Sequence, residues 1–382
     1  MIFFYYSRYI ECFKIKIKIQ VFNKMLDQSS EANYNKLAAK VRQKARDFFN
    51  KANYETALFW ADKAASFSRN SPQDLFIKVQ AMFHLKQYDR GAKTIEHIKY
   101  QNLYFAFRYE LANCYFCMKK YQEALQVLGD NEESNVRFNI KLPSSKNVEG
   151  VPDDKEVQCS MYLLKGDCYK SLEINESAVE CYTDALNIDV YCYEAFNRLV
   201  DNHLLSRDDE EALINRLMSK ATSQSHSAEE IDMLKFMYSL RIKKYDKPDK
   251  FEVPEKFDVL TKNLDVATAL AERHYYNGEL KTSYNYAEAI MKRDPFHSHC
   301  LPLYISLLVL MKKPTKLYYL AHQIVELYPD LSIPWYAIGC YYLMQKGKQD
   351  LAQRFFEKAT LVDSFYGPAF LSYGHSFAKG KC

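Results

Sequence analysis

The stretch WYAIGCYY at residues 335–342, followed by Ala352 and Phe356, decides the fold of this chain of 382 residues. Its apolar residues recur at spacings of three and four, which is the spacing of one face of an α-helix. Gly339 lies between two large aromatic residues, where a second helix could approach closely because glycine has no side chain. The stretch therefore predicts two antiparallel helices that pack small residues against aromatic ones.

The same pattern recurs along the chain at a nearly fixed period. Ala57, Gly91 and Ala124 follow one another in steps of 34 and 33 residues, and each has a tyrosine three positions before it. This is the length of a tetratricopeptide unit. One such helical hairpin cannot bury its apolar face alone, so neighbouring hairpins must stack. The sequence predicts an all-α fold, a tetratricopeptide-repeat superhelical solenoid of antiparallel helix pairs. The residues predicted to pack the helices of a pair together are Ala57, Gly91, Ala124, Gly166, Ala178, Trp335, Gly339, Tyr342 and Ala352.

Polar and proline-containing stretches divide the repeats into blocks. We expect N-terminal repeats over residues 35–128, middle repeats over 159–245 and C-terminal repeats over 263–382, the last one incomplete. Between them we expect a polar insert or loop over 129–158 and a linker over 246–262, where Pro248 and Pro254 break the helical pattern. Residues 1–34 are expected to form a disordered N-terminal extension. In a weaker fifth repeat, Ala212 is predicted to occupy the small packing position.

Charge and cysteine usage limit the possible partners and compartments. The chain has 52 basic and 48 acidic residues, a net charge of +4, without a basic block that would suit a nucleic acid. Charged residues interrupt the apolar start well before the roughly 20 apolar residues that a membrane span requires, so no membrane is expected. The ten cysteines lie mostly in helical segments without a secretory signal before them. Reduced thiols, and a location in nucleus and cytoplasm, are therefore expected.

Common catalytic signatures are missing from the sequence. There is no phosphate-binding loop, dinucleotide fingerprint, nucleophile elbow or zinc-protease motif, so we expect no enzyme, no cofactor and no catalytic residue. Cys114 and Cys117 form the only C-x2-C pair, and His297, His299 and Cys300 form a second group. Each group falls short of a closed four-ligand zinc site. Burial in the core is the favoured interpretation of both, with metal binding as the alternative.

Several blocks go beyond what the repeat consensus demands. They are LAERHYYN at 270–277, DPFHSHCLP at 294–302, ALFWADKA at 57–64, DVYCYEAF at 189–196 and YGPAFLSYGHSF at 366–377. These blocks closely resemble the family of subunit six of the anaphase-promoting complex, and the resemblance extends over residues 35–378. It implies a non-catalytic scaffold of the E3 ubiquitin ligase that drives mitotic exit. The family continues with further repeats beyond the point where this chain stops, so a C-terminal truncation is expected.

The resemblance also implies partners. Members of the family self-associate through their N-terminal repeats, contact related repeat subunits and enclose a small partner peptide in their groove. On this basis Phe59 and Trp60 are candidate residues of a homodimer interface. The first helix of each pair faces the groove of such arrays. Residues one place beyond its core positions are therefore the groove candidates: Glu272, Tyr275, Ser306, Val309, Tyr336, Cys340 and His375. Most tyrosines at repeat positions should nevertheless lie in the core.

Two other functions compete with the scaffold. A stand-alone peptide receptor, such as a co-chaperone, would carry a regular basic clamp for a C-terminal carboxylate, and no such pattern is visible. An enzyme with repeats as an appendage would need a separate domain of about 100 residues or more. The longest stretch without repeats is much shorter than that. A scaffold subunit is therefore the leading hypothesis.

Overall fold

A computed structural model describes residues 33–129, 148–224, 226–242, 253–364 and 366–379. Within these ranges every regular element is an α-helix or a 3-10 helix, which confirms the predicted all-α class. The chain divides between Leu204 and Leu205 into two compact units. In the described residues, no helix is both long enough and apolar enough to cross a membrane.

The first unit consists of consecutive helix pairs. Its helices are α1 (33–50), α2 (Tyr54–Phe67), α3 (Pro72–His84), α4 (Tyr88–Ile98), α5 (Phe105–Cys117), α6 (Tyr121–Leu128), α7 (Asp154–Ser171), α8 (Asn175–Ile188) and α9 (Tyr193–Asp201), with a 3-10 helix at Tyr100–Asn102. Each helix packs mainly on its neighbours in sequence, and first helices of successive pairs also touch, as α5 does with α3 and α7.

The second unit repeats this arrangement. Its helices are α10 (Arg207–Ser223), α11 (Ala228–Arg241), α12 (Leu264–Tyr276), α13 (Leu280–Arg293), α14 (Cys300–Leu310), α15 (Pro314–Leu327), α16 (Ser332–Leu343), α17 (Gln349–Val362) and α18 (Gly367–Lys379), with a 3-10 helix at Glu255–Lys262. A continuous apolar core extends from α12 to α18 and includes Tyr284, Leu307 and Phe356.

The turns between the two helices of a pair need few glycines, because other residues adopt the left-handed conformation there. One residue between the two helices adopts a left-handed conformation with φ between 52° and 79°, and it is Ala52, Lys86, Lys119, Gly278 or Lys312 in five of these turns. The next amide donates back to the carbonyl of the fifth residue before it, as Gln87 N–H does to Met82 C=O at 2.9 Å. Such bonds satisfy carbonyls that the end of a helix leaves free. The same type of helix end therefore recurs along the chain with the repeat.

The predicted small residues are buried where the helices of a pair meet. Ala57, Ala124, Ala178 and Ala352 are fully buried. A Cβ at Gly166 would lie 2.5 Å from the Tyr182 ring, and a Cβ at Gly339 would lie equally close to the Phe356 ring. At Gly91 it would meet only ordinary contacts, 3.4 Å from Cys114 Sγ. Close approach therefore requires glycine at two of these three positions.

Two predictions need correction, one of a boundary and one of a packing residue. The insert predicted for residues 129–158 ends earlier, because α7 begins at Asp154 with a capping box between Asp153 and Glu156. Within the linker predicted for 246–262, the structure has the 3-10 helix Glu255–Lys262. Ala212 is exposed, and the buried residues of α10 are instead Leu213, Ile214, Leu217, Met218 and Ala221. Residues 1–32 and 130–147, most of the predicted extension and insert, lie outside the described residues.

Candidate protein-binding surfaces

Phe59 and Trp60 form an exposed aromatic pair on α2. Their side chains are 54% and 36% exposed, and the rings meet edge to face with centroids 5.1 Å apart. The Lys63 ammonium lies 5.2 Å from the centroid of the Phe59 ring. Phe59 lies on the face of α2 opposite the buried Ala57 and Ala61, and Trp60 lies at the edge of the buried face, so part of each ring is available to a partner. Aromatic residues with this exposure are typical anchors of protein interfaces.

Four of the groove candidates in the second unit are half-buried, and one is exposed. Tyr275 packs edge to face against Tyr276 with centroids 5.4 Å apart, and the Ser306 hydroxyl donates to the Pro302 carbonyl at 3.0 Å. Val309 packs against the apolar core, while Glu272 is half-buried on α12. His375 on α18 is exposed. These five side chains keep at least part of their surface available for a ligand.

The prediction that Tyr336 and Cys340 line the groove is wrong. Both are buried, because the chain that leads into α18 covers α16 and places the Tyr366 ring against Tyr336 with centroids 5.5 Å apart. The Phe356 ring contacts Tyr336 as well, at 6.0 Å. Burial raises the pKa of the Cys340 thiol to about 12. These two residues therefore belong to the core between repeats.

Trp335 and Tyr342, predicted as packing residues, are only half-buried. Both rings stack on Phe355, which lies one residue before the core residue Phe356. Trp335 Nε1 donates to the Pro329 carbonyl at 2.8 Å, and the Lys358 ammonium lies 3.2 Å from the centroid of its ring. The two residues thus pack α16 against α17 at the edge of the core.

The two groups of cysteine and histidine residues take part in packing and in hydrogen bonds of the fold. Cys114 is buried and Cys117 is exposed, and burial raises the pKa of the Cys114 thiol to about 12. His297 Nδ1 accepts the backbone amide of Cys300 at 3.2 Å, and its Nε2 lies 3.3 Å from Asp265 Oδ1. His297 therefore holds the start of α14. In the described part of the chain, no three His, Cys, Asp or Glu side chains are grouped closely enough to hold a metal ion.

Sequence reasoning missed a contact between distant parts of the first unit. Residues 148–153, here called the strap, precede α7 but lie against α1, where Gly150 sits beneath the guanidinium of Arg46. Arg42, one turn earlier on α1, forms a bidentate pair with the buried Asp74 at 2.5 and 2.8 Å. The hydrogen bonds that Arg42 donates to Asp74 are the main cause that raises the pKa of Arg42, and nearby Glu149 adds to this. The sequence feature that pointed to this contact is the spacing of Arg42 and Arg46, which lie four residues apart and so on the same face of a helix.

Comparison with known sequences identifies the family. A family model described as "Anaphase-promoting complex, cyclosome, subunit 3" matches residues 50–131, and a tetratricopeptide-repeat model matches residues 160–189 and 334–366. The "Cell division cycle protein 16 homolog" of Homo sapiens is 40% identical over 346 residues, which are 89% of this chain and 55% of that protein. The chain is a homologue of cell division cycle protein 16. Among its other relatives is "Anaphase-promoting complex subunit 6" of Arabidopsis thaliana, 29% identical over 89% of this chain and 64% of that protein.

A solved structure has the same fold as this chain. It is described as "Crystal structure of APC/C hetero-tetramer Cut9-Hcn1", and it matches 92% of this chain and 65% of that chain with a TM-score of 0.71 and 28% identity. The tetratricopeptide-repeat fold predicted from the period is therefore confirmed. The chain spans about half the length of the human relative that it matches.

Proposed function

We propose that this chain is a non-catalytic scaffold subunit of the anaphase-promoting complex. In this role it would organise other subunits of the E3 ubiquitin ligase for the ubiquitination of mitotic regulators, and so for progression through the cell cycle. The observation that carries the proposal is the 40% identity to a human cell division cycle protein 16 homologue over 89% of the chain.

The repeat architecture supports a scaffold. Stacked helix pairs give extended surfaces for partners, and the described elements are the helices of such pairs and two short 3-10 helices. We infer that the partners include related repeat subunits and a small peptide-like subunit held by the repeats of residues 263–382. Glu272, Tyr275, Ser306, Val309 and His375 remain the candidate contacts for that peptide.

We also infer a homodimer through the N-terminal repeats, with Phe59 and Trp60 as its aromatic anchors. Neither a nucleic acid nor a membrane is part of the proposed function, and the proposed location is nucleus and cytoplasm, where the ligase would meet mitotic regulators.

Affinity purification tests the proposal. The tagged chain is expressed in dividing cells, captured, and its bound proteins are quantified by mass spectrometry against cells that express the tag alone. We expect anaphase-promoting complex subunits to be enriched in near-equal amounts, and the captured material to ubiquitinate a mitotic regulator when the E1 and E2 enzymes are added. Recovery of the chain with chaperones or alone, without these subunits, would contradict the scaffold function.

A further inference from the structure

The strap crosses from the fourth helix pair to the first. It ends at Asp153, next to the start of α7, yet Gly150 lies against Arg46 of α1, more than 100 positions earlier in the sequence. A Cβ at Gly150 would lie 2.0 Å from Arg46 Nη2, so the guanidinium occupies the space of a side chain. Gly150 also has a φ of +82°, a conformation that glycine adopts freely. The strap backbone and the arginine are therefore fitted to each other.

Apolar contacts hold the strap on its other side. Val151 is 9% exposed and belongs to the core cluster built from α3 to α7, and Val148 packs against the same cluster. The Val151 amide donates to the Val148 carbonyl at 3.0 Å, which closes a turn with Glu149 and Gly150 at its exposed tip. The strap is thus held between an apolar surface and the arginines of α1.

The fit leaves one polar group without a partner. Arg46 Nη2 is buried and has no hydrogen-bond acceptor among the described residues. Its neighbour Arg42 differs, because both of its contacting nitrogens bond to Asp74. A buried donor without an acceptor is unfavourable. An occupant that brought a carboxylate to Arg46 would therefore bind here more strongly than the strap does.

We propose that the strap is a built-in ligand of a peptide-binding surface on the first repeats, and that an extended acidic peptide binds this surface in trans by displacing the strap. The surface is formed by α1 and by the apolar cluster of α3 to α7. It is distinct from the groove of residues 263–382 and does not depend on the proposed scaffold function. The occupant has apolar residues at the positions of Val148 and Val151 and a carboxylate that pairs with Arg46.

The first experiment tests whether the strap is seated. Val151→Asp places a charge in the apolar contact and should release the strap, whereas Val259→Asp makes the same change at a residue that is 83% exposed. Hydrogen exchange of the full chain should show faster exchange of residues 148–153 in Val151→Asp alone, with α14 unchanged in both variants. If the wild-type strap already exchanges as fast as a free peptide, or if Val151→Asp leaves it unchanged, the proposal is wrong. Val151→Ser replaces Val151→Asp if the charged variant does not fold.

The second experiment tests the binding surface with a labelled peptide VEGVPDD, the sequence of residues 148–154, and its neutral counterpart VQGVPNN. A tethered strap competes at an effective concentration on the order of millimolar, so wild type should bind the peptide weakly. Val151→Asp should bind VEGVPDD about tenfold or more tightly than wild type does. In the strap, Asp153 is held in the capping box of α7, whereas in the free peptide this carboxylate can reach Arg46. The neutral VQGVPNN should therefore bind less tightly, and adding Arg46→Ala should abolish the difference between the two peptides. Equal peptide binding by wild type and by a variant with a released strap would overturn the proposal, as would equal binding of the two peptides.

Discussion

At the scale of single residues, Gly339 makes one of the two tightest contacts predicted by the repeat pattern. An alanine methyl group would lie 2.5 Å from the Phe356 ring, which is itself fully buried and cannot move freely. We expect Gly339→Ala to lower the free energy of unfolding by about 2 kcal/mol through overpacking. Gly374→Ala is the matched control, since nothing lies within 4 Å of its Cβ position in α18, and it should be neutral or slightly stabilising. Equal stability of the two variants in denaturant titrations would show that the assigned packing is wrong.

The burial of Glu110 predicts that the stability of the protein depends on pH. It is 8% exposed, its carboxylate accepts only a long 3.4 Å hydrogen bond from Gln80 among the described contacts, and burial raises its pKa to about 7. Because the folded-state pKa is above that of the unfolded chain, stability is full below about pH 4.5 and is lost as the pH rises through about 7. We expect this loss to approach about 3 kcal/mol.

Glu110→Gln should remove that loss. Its free energy of unfolding relative to wild type should rise between pH 5 and pH 8 (roughly the range spanned by the two pKa values), as measured by urea titration at each pH. Glu357→Gln, at an exposed position on α17, serves as the control and should show no such rise. A constant difference between Glu110→Gln and wild type across this range would mean that Glu110 titrates as an ordinary carboxylate.

At the scale of elements, α18 differs from the helices before it. Ala369 and Ser376 are buried against the preceding pair, but Phe370, Leu371 and Phe377 are 47%, 65% and 50% exposed. The helix packs mainly on α16 and α17 among the described elements, so fewer contacts oppose its opening. We expect hydrogen exchange to be faster over residues 368–378 than over residues 335–345 of α16. Equal protection of the two segments would contradict this expectation.

The exposed aromatic residues Phe370 and Phe377 of α18 recur at helical spacing in the sequence. In α10 the sequence pattern did not identify the buried face, because the expected small residue Ala212 is exposed. There the buried face is formed by Leu213, Leu217 and Ala221, one position later in the helix. The ends of a helix are assigned only to within one or two residues. A shift of one residue in the predicted position of a helix changes which residues are predicted to be buried.

At the scale of the whole molecule, the first repeats are expected to form a homodimer. Trp60→Ala should raise its dissociation constant roughly thirtyfold, which corresponds to about 2 kcal/mol for an aromatic anchor. Tyr319→Ala removes an aromatic side chain that is 68% exposed on the second unit, and it should leave the dimer unchanged. Analytical ultracentrifugation of the full chain at several concentrations measures both. A wild-type chain that remains monomeric at tens of micromolar, or equal effects of both variants, would refute this interface.

The sequence alone determined the helix pairs of this chain and the contacts within them, because a period of 34 residues and the pairing of small with aromatic residues are local properties. Gly339 and Phe356 lie 17 positions apart on adjacent helices, so their contact follows from the repeat itself. Only the tertiary structure decided that Tyr336 is buried, because the Tyr366 ring that covers it comes from the next repeat. It also decided the contact of Gly150 with Arg46, since no local pattern relates two residues so far apart, and only the stacking of the repeats between them brings them together.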